Sequence, residues 1–136
     1  MPKETKHSPR PNEYAQAAEL REALRVFQRR TDEITRAHGL TQRTYLLLLM
    51  IKTARNGDER ARLAELEERL QLGRSTVTEL VLRTEKRGLV RRELDRERGR
   101  GISVALTANG KRRVAAALGE LGDERRRLIE ILSRLA

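Results

Sequence analysis

Apolar residues recur at helical intervals over most of the chain. Over 13–37, Leu20, Leu24, Phe27, Thr31 and Ile34 return every three or four residues and predict one long helix with a narrow apolar stripe. Gly39 closes it, and Thr41 can cap a second helix over 42–54. There Tyr45 and the run 46–51 are apolar on nearly every side, the mark of a core helix. Asn56-Gly57-Asp58 reads as a turn. A third helix from Arg62 carries Leu63, Leu66 and Leu70 on one side, with Glu65, Glu67, Glu68 and Arg69 facing water. Leu72 sits in a turn a few residues long, and Gly73 is an acceptable N-cap that offers no side-chain acceptor. The fourth helix places Val77, Leu80, Val81 and Thr84 inward, and Gly88 after its last turn suits a left-handed position.

After Gly88 the period changes. Leu89-Val90 and the run 102–106 are short and β-prone, and the arginine-bearing loop 95–101 between them predicts a hairpin with a basic tip. Two short helices joined by a tight turn form a helix-turn-helix, and the added hairpin makes it a winged helix. Beyond Thr107, Val114, Leu118, Leu121, Leu128, Leu132 and Leu135 restore a helical spacing that Arg125 interrupts. Gly119 and Gly122 each cost about 1 kcal/mol relative to alanine inside a helix, so a break there is expected, with Asp123 starting the last helix.

The fold class that follows is mainly α with a small β-hairpin, in one domain over 13–136 behind a flexible arm at 1–12. Within the domain, 62–107 is the winged helix-turn-helix, and 13–38 and 108–136 are terminal helices. A chain of 136 residues can bury about two-thirds of its unfolded surface. One of the two terminal stripes is too narrow to be satisfied inside a domain this small. The expectation is that terminal helices of two subunits interleave into a homodimer; the alternative is a monomer with both stripes on one core.

Charge adds a partner. The net charge is +10, and 25 of the 30 basic residues are arginine. Such a surplus favours a polyanion, nucleic acid or an anionic membrane, over a merely solubilising surface. Placement favours the first, because 74–113 holds twelve basic and five acidic residues, and that stretch is the helix and wing that would face DNA. The chain has no cysteine, which excludes disulfides, thiolate zinc sites and cysteine redox sensing. Its two histidines, His7 and His38, lie on different segments, so neither a metal nor another cofactor is expected. No apolar run approaches the roughly 20 residues of a membrane span, and the polar N-terminus is unlike a secretory signal, so a cytoplasmic protein is expected. No nucleophile–base pair, ligand cluster or phosphate-binding glycine loop stands out, and an enzyme is not expected.

The ordered motifs carry a resemblance. Gly39-Leu40-Thr41 with Tyr45, Leu63-Ala64-Glu65-Leu66, Arg74-Ser75-Thr76-Val77-Thr78, Glu85-Lys86-Arg87-Gly88-Leu89-Val90, the run 95–100, then Leu106-Thr107 and Gly110 follow one unbroken register. From 40 to 110 the chain resembles the multiple-antibiotic-resistance regulator (MarR) family of bacterial winged-helix transcription factors. The resemblance implies a homodimer on a pseudo-palindromic operator, often released by a small-molecule effector; lacking cysteine, the chain falls outside the peroxide-sensing branch.

Candidate contacts follow. Arg74, Ser75, Thr76, Thr78 and Glu79 project from the start of the fourth helix, where base edges are read. Arg74 can pair with guanine, and the hydroxyls can bind bases or phosphates. Glu79 either accepts from cytosine or pairs with Arg83, and the ion pair is preferred. Arg83, Lys86 and Arg87 suit phosphates. In the wing, Arg96, Arg98 and Arg100 are candidates, and Arg100 aligns with the family's minor-groove arginine. Arg98 stands where the family usually has an aspartate, Leu82 where a charged residue is common, and Thr84 where leucine is. Leu82 either faces DNA, touching a thymine methyl group, or packs on a neighbour. Tyr14, His38, Arg43 and Tyr45 are candidate effector-lining residues. Two functions remain: a sequence-specific dimeric regulator acting as a repressor, or a winged-helix protein-interaction module with secondary DNA binding.

Overall fold

The computed structural model describes residues 8–94 and 101–136. Among them run α1 (Pro11–Ala37), α2 (Gln42–Lys52), β1 (Arg60–Arg62), α3 (Leu63–Leu70), α4 (Arg74–Lys86), β2 (Val90–Leu94), β3 (Ile102–Leu106), α5 (Ala108–Glu120) and α6 (Gly122–Leu135). The mainly helical class with a small β element is thus observed. Helix α1 starts at Pro11, two residues earlier than the stripe suggested, because proline's fixed φ suits a first helical turn. The Arg10 amide donates to the Glu13 carboxylate at 2.9 Å and closes that end. Helix α2 starts as expected, with the Thr41 hydroxyl accepting from the Thr44 amide at 3.1 Å, but stops at Lys52.

The core gathers around α2. Leu47, Leu48 and Ile51 are fully buried, and they meet Leu66 of α3, Val77, Leu80 and Val81 of α4, and Val104 of β3. The sheet has three strands in the order β1-β3-β2, all antiparallel, where the sequence pattern suggested only a hairpin. The added strand is three residues long. Its middle residue, Ala61, lies opposite Val104 and is fully buried between two arginines, too short an alternation to stand out along the chain.

Two residues assigned to the wet side of α3 are drawn inward. Arg69 donates to the carbonyls of Met50 and Thr53 at 3.0 and 3.1 Å and pairs with Glu65 at 3.1 Å. The last carbonyls of a helix have no partner within it, and here one guanidinium supplies two of them. Arginine does the same for α1: Arg113 donates to the His38 carbonyl at 3.0 Å, and Arg87 to that of Gly39.

After β3, the Thr107 hydroxyl accepts from the Gly110 amide at 3.1 Å and caps α5, while donating to the Gly88 carbonyl at 2.6 Å. A Cβ at Gly110 would lie 2.0 Å from the Leu89 carbonyl oxygen, so only glycine lets the first turn of α5 approach the start of the wing. The predicted break falls at Leu121, and α6 begins at Gly122 rather than Asp123.

Helix α6 folds back along α1. Gln16 donates to the Leu135 carbonyl at 2.6 Å, Arg134 pairs with Glu19, and Arg30 lies 3.7 Å from Glu124. Between them remains a cavity of about 210 Å³ lined by Ala23, Val26, Phe27, Leu128 and Ile131. Few of their side chains are fully buried. Along α1 only Ala23, Thr31 and Thr35 are buried, while Leu20, Val26, Leu118, Ile129 and Leu132 stay exposed on α1, α5 and α6.

Candidate nucleic-acid interface

The turn from α3 to α4 decides what α4 presents. Gln71 ends α3 in the left-handed region at φ 57°, its side chain donating to the Glu68 carbonyl at 2.7 Å. Gly73 is the N-cap with extended backbone, φ −74° and ψ 164°, so its role uses no conformation special to glycine. Leu72 packs against the core between them, half-buried, and fixes the angle of entry.

Helix α4 then buries Val77, Leu80, Val81 and Thr84. Thr84 stays inside because its hydroxyl donates to the Leu80 carbonyl at 2.7 Å, which satisfies the polar atom without a partner outside the helix. The opposite face carries Ser75, Glu79, Leu82, Arg83 and Lys86, all exposed, with Thr76 and Thr78 half-buried at its margins. Glu79 and Arg83 lie 3.8 Å apart, an exposed pair worth little stability. Leu82 is 43% exposed, beside Glu79, Arg83, Glu85, Lys86 and Arg92.

Two candidate cations already hold protein partners. The Arg74 guanidinium is hydrogen-bonded to Glu67 of α3, which fixes its side chain across the turn. Arg87 leans away from the outer face of α4 onto the Gly39 carbonyl. On β2 the exposed Arg91 and Arg92, which sequence reasoning did not single out, pair with Glu93 at 2.6 Å and Glu85 at 2.9 Å. The hairpin register runs from Val90 opposite Leu106 to Leu94 opposite Ile102, and β2 lies against α4. Arg96, Arg98 and Arg100 lie outside the described residues.

The four effector candidates are not brought together. Tyr14 is exposed in the first turn of α1, and His38 follows that helix's far end, about 36 Å away at 1.5 Å per residue. His38 meets Glu120 at 3.1 Å, and Arg43 is exposed. Tyr45 is buried in the core, which raises its phenol pKa against the opposing charge of Arg125. Among the described residues, no cluster of three or more histidine or carboxylate side chains is placed to hold a metal ion. No described helix is long and apolar enough to cross a membrane.

Comparison with known proteins places this geometry. Residues 38–101 match the MarR family model. The fold is similar to that of AbsC, a MarR family transcriptional regulator from Streptomyces coelicolor, at 22% identity and a TM-score of 0.79 over 93% of this chain and 84% of that one. It is also similar to Sco3205, a MarR family transcriptional regulator from the same organism solved in complex with DNA, at 23% identity and a TM-score of 0.78 over 93% and 79% of the two chains. A mutant MarR from E. coli complexed with operator DNA is 21% identical, with a TM-score of 0.69 over 89% and 85%. The sequence matches no curated protein.

Proposed function

We propose that this MarR-family winged-helix protein acts as a homodimer that represses transcription by binding a pseudo-palindromic operator. The observation that carries the reading is the outer face of α4. It offers hydroxyls and cations along one stripe, raised on a fully buried core and flanked by the hairpin whose loop holds three arginines. Such a helix suits a major groove, and such a loop suits the phosphates or minor groove beside it. The DNA complexes of Sco3205 and of E. coli MarR support a duplex as the ligand of this fold. The apolar side chains left on α1, α5 and α6 support a second copy as the partner that covers them.

Within this reading Ser75, Thr76, Thr78 and Glu79 face bases, Arg83 and Lys86 face phosphates, and Arg74 is positioned by Glu67. The wing arginines Arg96, Arg98 and Arg100 supply the flanking contact. No ligand is assigned to Tyr14, His38, Arg43 and Tyr45, which share no cavity.

Selection of bound sites from random duplex DNA tests the proposal. An inverted repeat should emerge with half-sites one helical turn apart, about 34–36 Å, or a multiple of it. Its binding constant should fall with salt at a log–log slope of roughly 0.9 per phosphate neutralised. Failure to enrich any sequence, or binding indifferent to salt, overturns the reading and favours a protein-docking wing.

A further inference from the structure

We propose that Leu82 is a specificity-determining residue that reads the C5-methyl group of a thymine in each half-site; this rests on the duplex-binding reading above. Geometry points to it first. At about 100° per residue, the buried arc of Val77, Leu80, Val81 and Thr84 sets the outward pole of α4 between Ser75 and Lys86. Leu82 lies within about 30° of that pole. Ser75, Thr78, Glu79 and Leu82 therefore form one stripe, at successive offsets of three, four and seven residues. Those are the offsets by which one face of a recognition helix meets base edges.

Chemistry narrows the ligand. Leu82 is the one large apolar side chain on that face, and 43% of it is open to solvent. Glu79 and Arg83 lie 3.8 Å apart on the exposed surface to one side and Glu85 pairs with Arg92 on the other, so a hydrocarbon surface stands between charged side chains. A leucine cannot satisfy a donor or acceptor. Set against guanine O6 and N7, or the cytosine amino group, it would strip a polar edge of water and return nothing. The major groove displays one apolar group, the thymine methyl. The shallow depression around Leu82, lined by Glu79, Arg83, Glu85, Lys86 and Arg92, leaves room for a base edge to approach.

The test uses the site selected above. Each thymine is replaced in turn by deoxyuridine, which removes the methyl group and leaves base pairing intact, and the wild-type protein is compared with Leu82→Ala. One position per half-site should show a loss of about threefold to fivefold for the wild type, the effect of one buried methyl group. At that position Leu82→Ala should bind thymine and uracil equally, and should bind the unmodified site more weakly than wild type by a similar factor. Equal penalties in both proteins, no penalty at any position, or unchanged affinity of Leu82→Ala each overturn the assignment while leaving the regulator reading intact. A protein that binds no duplex overturns both. Leu82 is exposed, so loss of fold is not expected from Leu82→Ala; the thermal midpoint of the same preparation checks it.

Discussion

The middle of the chain and its two ends are built to different standards. Between Leu40 and Leu106, side chains from three helices and three strands meet with almost no exposed area: Leu47, Leu48, Ile51, Leu66, Val77 and Val104 are all at 0%. Helix α1, though 27 residues long, buries only Ala23, Thr31 and Thr35, and α6 buries only Gly122 of its 14. Two of α1's three buried side chains are threonines; the Thr31 hydroxyl donates to the Phe27 carbonyl at 2.8 Å and accepts from Gln42 of α2 at 3.2 Å. A core that closes on itself needs no second chain. A 27-residue helix that buries only three of its side chains leaves surface that the proposed second copy would cover. The difference teaches that the winged-helix middle is finished within one polypeptide, whereas the ends leave apolar surface uncovered.

Three substitutions would break or sharpen that contrast. The largest effect belongs to the middle. Leu66→Ala removes a fully buried side chain at the junction of α2, α3 and α4 and should cost about 2–5 kcal/mol in denaturant unfolding. A cost below about 1 kcal/mol would mean the middle relaxes as easily as the ends. Next, Gly110→Ala forces a methyl group onto the Leu89 carbonyl oxygen at 2.0 Å; backbone must move, and a loss of about 1–3 kcal/mol is expected. A neutral result there would show α5 free to slide away from the wing. The smallest effect on the fold is at the ends. Ile129 is 55% exposed, and Ile129→Glu should change the stability of the isolated chain by no more than about 0.5 kcal/mol. It should nonetheless shift sedimentation at micromolar concentration from dimer to monomer. A variant that stays dimeric, or a wild type that sediments as a monomer, removes the distinction between a finished middle and unfinished ends.

The middle was also the more legible half. Its helices declare themselves by local signals: Thr41 and Thr107 as caps, Gly88 at φ 76° after α4, and Val77, Leu80, Val81 and Thr84 on one face. These depend on residues no more than a turn or two apart, which sequence displays directly. What stayed hidden depends on distant partners. Strand β1 exists only because Ala61 meets Val104, 43 positions on. Arg69, Arg87 and Arg113 count as surface charge in any tally, yet each is committed to a backbone carbonyl elsewhere in the fold. Arg74 looked like a free base reader, and its tie to Glu67 crosses a turn the sequence places but does not orient. Net charge thus overstates how many arginines a polyanion could meet. The effector candidates do not converge for a simpler reason: Tyr14 sits at one end of a long helix and His38 at the other.

The neighbouring carbonyls of His38 and Gly39 are each gripped by an arginine, one from α5 and one from the C-cap of α4. They anchor one end of α1, a helix about 40 Å long whose other end is held to α6 by Gln16 and Glu19. One end of α1 is thereby joined through a single hydrogen bond to the end of α4, so the long terminal helix and the exposed face of α4 share one rigid joint.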